Sequence, residues 1–287
     1  MTQRTTPSLC RFVLTVVLLA ATLPASTANA LDCYPLQISL LPVAQIVPKE
    51  KSVCGLRLDL PWGENKSVSG IALGIVNRAE SVQGIEIGGV NWLTADDRNM
   101  SWGIQAGVFN IIGTAPYTGL QLGLFNLPNI FTLSGYMPSA SSAATSNTIQ
   151  ASLANATMTN VNGIQVAFAV NGALNVNGLQ ASIFVNGSND LNGIQFSYFR
   201  NMAEGTVNGI QAGIILGNIA QNLNGLQIGL LNGAEMVNGV QIGVINMCAN
   251  LSGVQLGLIN ILTAKQSSDA KTFFKESSYY PIMRIGF

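Results

Sequence analysis

The sequence predicts an all-β repeat protein of about twelve to fourteen units, each of about 15 residues, arranged as a β-solenoid. Three observations predict this fold. One short pattern recurs along most of the chain, each copy alternates apolar residues with other residues, and Asn and Gly mark the ends of the copies. Of the 287 residues, 48% are hydrophobic and only 9% are charged. That composition excludes a disordered tail and is unlike the surface of an ordinary soluble enzyme.

The repeated pattern has eight positions: Gly, apolar, Gln, apolar, small, apolar, apolar, Asn. It is clearest in residues 225–232, 239–246 and 253–260. Other copies begin at Gly70, Gly84, Gly103, Gly119, Gly163, Gly178, Gly193 and Gly209, and a copy that begins at Thr148 lacks only the glycine. From Gly163 onward, successive copies begin 14 to 16 residues apart. Units this short and this numerous indicate one structural element that is stacked many times.

The alternation within each copy has a period of two, which predicts a β-strand. In the copy that begins at Gly163, Ile164 and Val166 point to one side while Gln165 and Ala167 point to the other. The fifth position is always Gly, Ala or Ser, which indicates steric pressure from a close neighbour. Asn and Gly at the ends of the copies tolerate the backbone conformations of tight bends.

Two architectures fit this strand unit. In a parallel solenoid, the main apolar column of the unit fills a thin core, and Asn and Gln stack into ladders. In the alternative, an outer-membrane β-barrel, each unit is one crossing strand whose apolar column faces lipid. The near absence of charge between residues 103 and 260 and the terminal Phe287 favour the barrel. Even repeat spacing favours the solenoid, which we prefer, although alternation alone does not decide which face is buried.

The ends of the chain differ from the repeats. Residues 1–30 are predicted to be a signal peptide, because Arg4 and Arg11 precede an apolar stretch and a small-residue site ends at Ala30. Residues 31–69 form an N-terminal cap with degenerate repeats, and residues 70–262 form the repeat domain. Within that domain, residues 127–147 are an insert loop rich in Ser, Ala and Thr. Residues 263–287 are a C-terminal cap or terminal strand, and the protein is expected to be exported to the outer membrane or cell surface.

Cleavage after Ala30 leaves three cysteines in an oxidising compartment. Cys33 and Cys54 are the candidate disulfide, because they would close a short loop at the start of the folded region. Cys248 is expected to be a free thiol, with an intermolecular bridge as the alternative. No histidine is present to activate it.

The tandem copies with glycine at the fifth position, followed by the tail at residues 280–287, resemble the bacterial surface-repeat proteins first named in leptospires. The likeness covers residues 70–260 and the last eight residues. It implies a surface or envelope location and no known activity. The chain departs from that pattern in its insert and in Ala or Ser at several small positions.

The sequence offers few groups for catalysis. The absence of histidine excludes Ser-His-Asp and Cys-His nucleophiles and imidazole metal sites. Asp96 with Asp97, and Glu80 with Glu86, are interpreted as solvated turn or strand-face residues rather than as acid–base pairs. We therefore predict a protein that is not an enzyme, with no catalytic residue, no cofactor, no metal and no small-molecule substrate. The mature chain is slightly acidic, so nucleic acid is not an expected partner.

The seventh position of the unit provides the candidate interaction stripe. It is expected to share a face with Gln, beside a smooth column of glycines, and to be exposed, as surfaces for a partner or a membrane are. The stripe contains Phe109, Phe125, Phe199, Ile215, Leu231, Ile245 and Ile259. The predicted function is that of an envelope repeat protein that presents a rigid β surface for adhesion or assembly. Its expected partner is an envelope or host surface component, or outer-membrane lipid, and the alternative is a barrel that passes small solutes.

Overall fold

The computed structural model of the protein describes residues 33–94, 100–113, 115–128, 145–263 and 278–286. Within these ranges the chain is all-β and contains no helix. The predicted signal peptide and most of the insert lie outside the described residues. The strands are β1 (Cys33–Leu41), β2 (Ala44–Gln45), β3 (Ser52–Leu93), β4 (Ser101–Ile112), β5 (Tyr117–Pro128), β6 (Thr145–Ala156), β7 (Asn160–Gly172), β8 (Asn175–Ser182), β9 (Val185–Ser188), β10 (Asp190–Ser197), β11 (Arg200–Ala203), β12 (Thr206–Gly213), β13 (Gly217–Gly229), β14 (Leu231–Val237), β15 (Val240–Ile242), β16 (Ile245–Leu251), β17 (Val254–Leu262) and β18 (Ser278–Ile285).

The repeat units stack as successive turns of a coil. Strand β7 pairs in parallel with β8, and equivalent residues face each other, as Gly163 faces Gly178 and Gln165 faces Gln180. The same register continues from β8 through β10 and β12 to β13. About 13 turns stack in this way, which confirms the all-β repeat fold and the solenoid. The strands of the barrel alternative would pair antiparallel with their neighbours in sequence, so the parallel pairing shows that alternative to be wrong.

The apolar core is formed by residues that lie between the eight-residue copies. In the second half of the solenoid one apolar side chain per turn points inward, and all of them are buried: Val161, Val176, Leu191, Val207, Leu223, Val237 and Leu251. Small residues, among them Ala203, Ala220 and Cys248, pack beside this column. The apolar core therefore lies outside the repeated eight-residue pattern.

The main apolar column of the unit faces outward, which corrects the expectation that it fills the core. Gln165 and Asn171 are completely buried, whereas Ile164, Val166 and Phe168 are 37%, 45% and 59% exposed. Parallel stacking in register explains the inversion, because each buried amide finds its hydrogen-bond partner in the equivalent amide of the next turn. Satisfied in this way, a polar column can be buried without the penalty of unpaired groups.

Two amide ladders run through the interior in opposite directions. From Gln121 to Gln255, each Gln Nε2 donates to the Gln Oε1 of the preceding turn at 2.6–2.9 Å. From Asn77 to Asn246, each Asn Nδ2 donates to the Asn Oδ1 of the following turn at 2.8–2.9 Å. Asn Nδ2 atoms also donate to backbone carbonyls, which can only accept. These carbonyls fix the direction of the Asn ladder.

The Asn ladder also explains the small fifth position. At Gly243, an added Cβ would overlap the carbonyl oxygen of Gly229 and would lie 2.6 Å from Asn232 Nδ2. The first glycine of the unit has a different reason. Gly163 has φ +146°, and a Cβ there would overlap the carbonyl oxygen of Thr148 in the turn below.

Both ends of the solenoid carry additional pairing. Strand β1 pairs in parallel with the start of β3, and Gln37 faces Arg57, so the degenerate copies are stacked turns. Cys33 and Cys54 form a disulfide between these two strands, with Cα atoms 5.6 Å apart. At the other end β18 runs antiparallel along β17, with Ile285 opposite Val254. This strand covers the edge that the last turn would otherwise leave unpaired.

Candidate interaction surface

The outward residues at the second and fourth positions of the unit form one continuous sheet face, which we call the apolar face. Stacking in register places each position in its own column, and every member is apolar. The second-position column is Ile71, Ile85, Ile104, Leu120, Ile149, Ile164, Leu179, Ile194, Ile210, Leu226, Val240 and Val254. The fourth-position column is Leu73, Ile87, Ala106, Leu122, Ala151, Val166, Ala181, Phe196, Ala212, Ile228, Ile242 and Leu256.

The apolar face is larger than the apolar patches of ordinary monomers. Neighbouring strands in a sheet are about 4.8 Å apart, so the twelve turns that carry the face extend over roughly 55 Å. With a width of roughly 13 Å, the area is on the order of 700 Å², whereas the largest patch on a typical monomer is about 300–600 Å². A surface of this size, made of uncharged side chains on rigid strands, has the character of a docking surface.

The predicted seventh-position stripe lies at a corner beside the apolar face. Phe109, Leu231 and Ile259 are 36%, 38% and 43% exposed, and Phe125, Phe199, Ile215 and Ile245 are half-buried. The stripe does not share a face with Gln, because the chain bends between the small residue and the inward Asn. Its aromatic members stack between turns, with ring centroids 5.2 Å apart for Phe109 and Phe125. The stripe is therefore the border of a wider apolar surface.

The charged groups nearest the interior form a buried cluster near the first turns. Arg57 Nε lies 2.9 Å from Asp59 Oδ2, and Arg57 Nη2 lies 3.4 Å from Glu86 Oε1. Arg57 and Glu86 occupy Gln positions of the repeat, and the turn between them carries Ala72. Burial raises the pKa of Asp59 to about 6 and also raises the pKa of Glu86, while Arg57 opposes both shifts. All three side chains are inaccessible to solvent, so the cluster is placed for stability rather than for contact with a substrate.

The thiol of Cys248 is also enclosed. Cys248 is a free, buried thiol beside the apolar core. Burial raises its pKa to about 11, although Arg284 and the hydrogen bond from Gln255 act in the opposite direction. In the part of the chain that the structure describes, no group of three or more His, Cys, Asp or Glu side chains could hold a metal ion. Nor is any helix of the described ranges long and apolar enough to cross a membrane.

Sequence reasoning missed the apolar face because it placed the same residues in the core. One feature of the sequence could have shown that these residues lie on the surface. The fourth position varies from Ala to Phe between neighbouring turns, whereas the Gln and Asn positions hardly vary. A close-packed core does not accept such volume changes from turn to turn, but a solvent-exposed column does.

The fold and this surface define the class of the molecule: a β-solenoid repeat protein with one continuous apolar face. Comparison with known protein families, with curated proteins and with solved structures finds no match.

Proposed function

We propose that the protein is a non-enzymatic scaffold of the bacterial cell envelope that uses its apolar face for assembly or adhesion. The observation that carries this proposal is the apolar face itself, which consists of two complete columns of outward apolar side chains. The signal-like residues 1–30 and the resemblance to bacterial surface-repeat proteins support the location. The lack of histidine and the complete burial of Asp59 and Glu86 support a role without catalysis.

The hydrogen bonds in the interior of the solenoid hold the apolar face rigid, which favours binding. Both amide ladders tie each turn to its neighbours, as Gln195 donates to Gln180 at 2.7 Å and Asn186 donates to Asn201 at 2.9 Å. The outward side chains are therefore held on strands whose positions are already fixed. A preorganised surface loses little conformational entropy on binding, which favours a stable contact.

The test is a fractionation of envelopes from cells that express the full chain. The face variant combines Ile164→Gln, Ile194→Gln and Ile210→Gln, which makes the second-position column polar in three of its twelve turns without adding charge. The control variant combines Ile219→Gln and Met236→Gln, which are comparably exposed residues outside the apolar face. We expect the native chain and the control to stay with the envelope through high-salt washes, because apolar contacts are insensitive to salt. Alkaline carbonate with urea should release both chains.

The face variant should already appear in the high-salt supernatant as a folded, β-rich species by circular dichroism. If it is retained as well as the native chain, the apolar face does not hold the protein at the envelope and the proposal fails. If the native chain itself is already free in a low-salt supernatant taken before the washes, the proposed location at the envelope is wrong.

A further inference from the structure

The fourth-position column of the apolar face alternates between large and small residues. Over nine successive turns the order is Ile87, Ala106, Leu122, Ala151, Val166, Ala181, Phe196, Ala212 and Ile228. Each of these residues faces the next one in register across neighbouring turns. The column is therefore a notched ridge with one large side chain in every second turn, or about every 9.6 Å.

The fold does not require this alternation. Ile228, Ile242 and Leu256 are large residues in three successive turns and pair in the same register. The second-position column beside them is large in every turn. The spacing between turns therefore accommodates adjacent large side chains on this face. Because these side chains point outward, no interior contact selects their size, and the notches are a property of the surface.

A notched ridge distinguishes between possible occupants. Lipid acyl chains are fluid and adapt to any apolar relief, so a lipid surface gives no reason for a regular notch. A rigid partner with the same period fills the notches with its own large side chains, since interiors and interface cores pack at the density of crystals. A second copy of this chain has that period by construction.

We propose that two copies of the protein pack through their apolar faces as an antiparallel, twofold-symmetric dimer. The twofold axis lies in the interface, perpendicular to the solenoid axis, and passes between the turns of Val166 and Ala181. This is the middle of the twelve-turn face, so the two faces overlap completely. It also places turns of opposite kind against each other in the central eight turns: Val166 faces Ala181, Phe196 faces Ala151, and Leu122 faces Ala212. The position of greatest overlap is thus also a position of matched shape.

The dimensions support a stable dimer. Complete overlap covers on the order of 700 Å² on each copy, and specific interfaces bury about 800 Å² per partner. Two sheets packed face to face are about 10 Å apart, and their side chains interdigitate between them. Such an isologous contact closes after two copies, so the prediction is a discrete dimer rather than a filament. This inference rests on the proposed function, because it names a second copy as the partner of the same apolar face. The face then acts by assembly, and the face variant leaves the envelope because it no longer forms the dimer.

The test is the association of the purified mature chain, residues 31–287, measured by analytical ultracentrifugation over a range of concentrations. The notch-filling variant combines Ala181→Leu and Ala212→Leu, which makes the ridge continuous while adding apolar area. The control is Ala249→Leu, a partly buried alanine outside the apolar face. We expect a dimer for the native chain and the control, and a dissociation constant at least about tenfold higher for the notch-filling variant, because overpacked contacts are strained.

A second variant keeps the proposal testable if the notch-filling variant does not fold. Leu122→Ala with Phe196→Ala removes two large side chains from the ridge and leaves the buried ladders untouched. It should weaken the dimer to a similar extent, and circular dichroism should show native β-structure for every variant. Stronger or unchanged association of the notch-filling variant would overturn the proposal, because a contact without shape selection gains from added methyl groups.

Failure of this inference can be told apart from failure of the proposed function. A native chain that stays monomeric at high concentration, while the face variant is still lost from envelopes, overturns the dimer and leaves the docking role intact. Binding of that monomer to phosphatidylcholine vesicles would then identify lipid as the occupant. The reverse result is a native chain that forms a dimer, dissociates on notch filling and is nevertheless removed from envelopes by high salt. That result supports the dimer and overturns the docking role at the envelope.

Discussion

The guanidinium of Arg57 lies 3.4 Å from the carboxylate of Glu86, although the two residues are two turns apart along the solenoid. The contact is possible because the intervening turn carries Ala72 at the equivalent inward position, so the long side chain passes over a small one. Gln105 donates to the other carboxylate oxygen of Glu86 at 2.8 Å. The Gln ladder therefore ends on a carboxylate, which accepts, and Arg57 supplies the balancing charge.

Removing this cation should strongly destabilise the first turns. Arg57→Met leaves Asp59 and Glu86 buried without their counter-charge, and breaking a buried ion pair costs about 3–5 kcal/mol. Arg78→Met is the control, because Arg78 pairs with Glu64 at 3.1 Å but is partly exposed, and such pairs contribute at most about 1 kcal/mol. Urea denaturation of both variants measures the difference. Equal losses in the two variants would show that the cluster has no special role.

The stability of the protein should decrease with pH between about 4 and 6. Burial raises the pKa of Asp59 from 3.8 to about 6. In this range the folded state keeps a proton that the unfolded state has lost, so raising the pH favours unfolding, and the effect is complete above pH 6. The shift corresponds to on the order of 3 kcal/mol.

Asp59→Asn isolates this contribution, because the amide is of similar shape and does not titrate. We expect the decrease in free energy of unfolding from pH 4 to pH 7 to be smaller in the variant than in the native chain. Glu86 has a raised pKa as well, and the charge of Asp59 contributes to that shift, so the difference between the two proteins reports on Asp59 together with its effect on Glu86. Identical pH profiles would show that Asp59 titrates normally.

Two adjacent residues test which face of the unit is buried. Gln195 is buried and donates to Gln180 at 2.7 Å while accepting from Gln211 at 2.8 Å, whereas Ile194 is exposed. Gln195→Leu leaves ladder amides without partners and should cost about 1–3 kcal/mol for each unsatisfied group. Ile194→Gln should change the free energy of unfolding by no more than about 0.5 kcal/mol. A larger loss of unfolding free energy for Ile194→Gln than for Gln195→Leu, in thermal or urea denaturation, would mean that the apolar column is inside.

The last strand should protect the solenoid from end-to-end association. Strand β18 pairs with β17 along Val254 and Leu256, and Gly286 exchanges backbone hydrogen bonds of 2.9 and 3.0 Å with Gly253. Deletion of residues 265–287 exposes this edge, which can then pair with another chain. We expect polymers by light scattering with retained β-structure. A truncated chain with the same association state as the full chain would rule out a capping role for this strand.

Parts of the candidate site were accessible from sequence and parts were not. Asn171 and Gly163 mark the ends of a strand unit in the sequence, because their backbone preferences are local. Phe109 and Leu231 were expected to be exposed on the same face as Gln, and they are exposed, but at a corner beside the apolar face. Val176 and Leu191 were not recognised as the core, since a single apolar residue between bends carries no periodic signal. The partnership of Arg57 with Glu86 depends on the size of a third residue in another turn, and no local pattern contains it.

The repeat, its length, the strand character of each unit and the need for a small residue at the fifth position can all be read from the sequence. These follow from local geometry and from identical residues that recur at a fixed spacing. That Gln165 lies inside and Ile164 outside is visible only in the folded chain, because alternation with a period of two is the same for either face. Stacking in register resolves the choice, since it gives the amides within each ladder partners in the neighbouring turns and so places the apolar face on the surface.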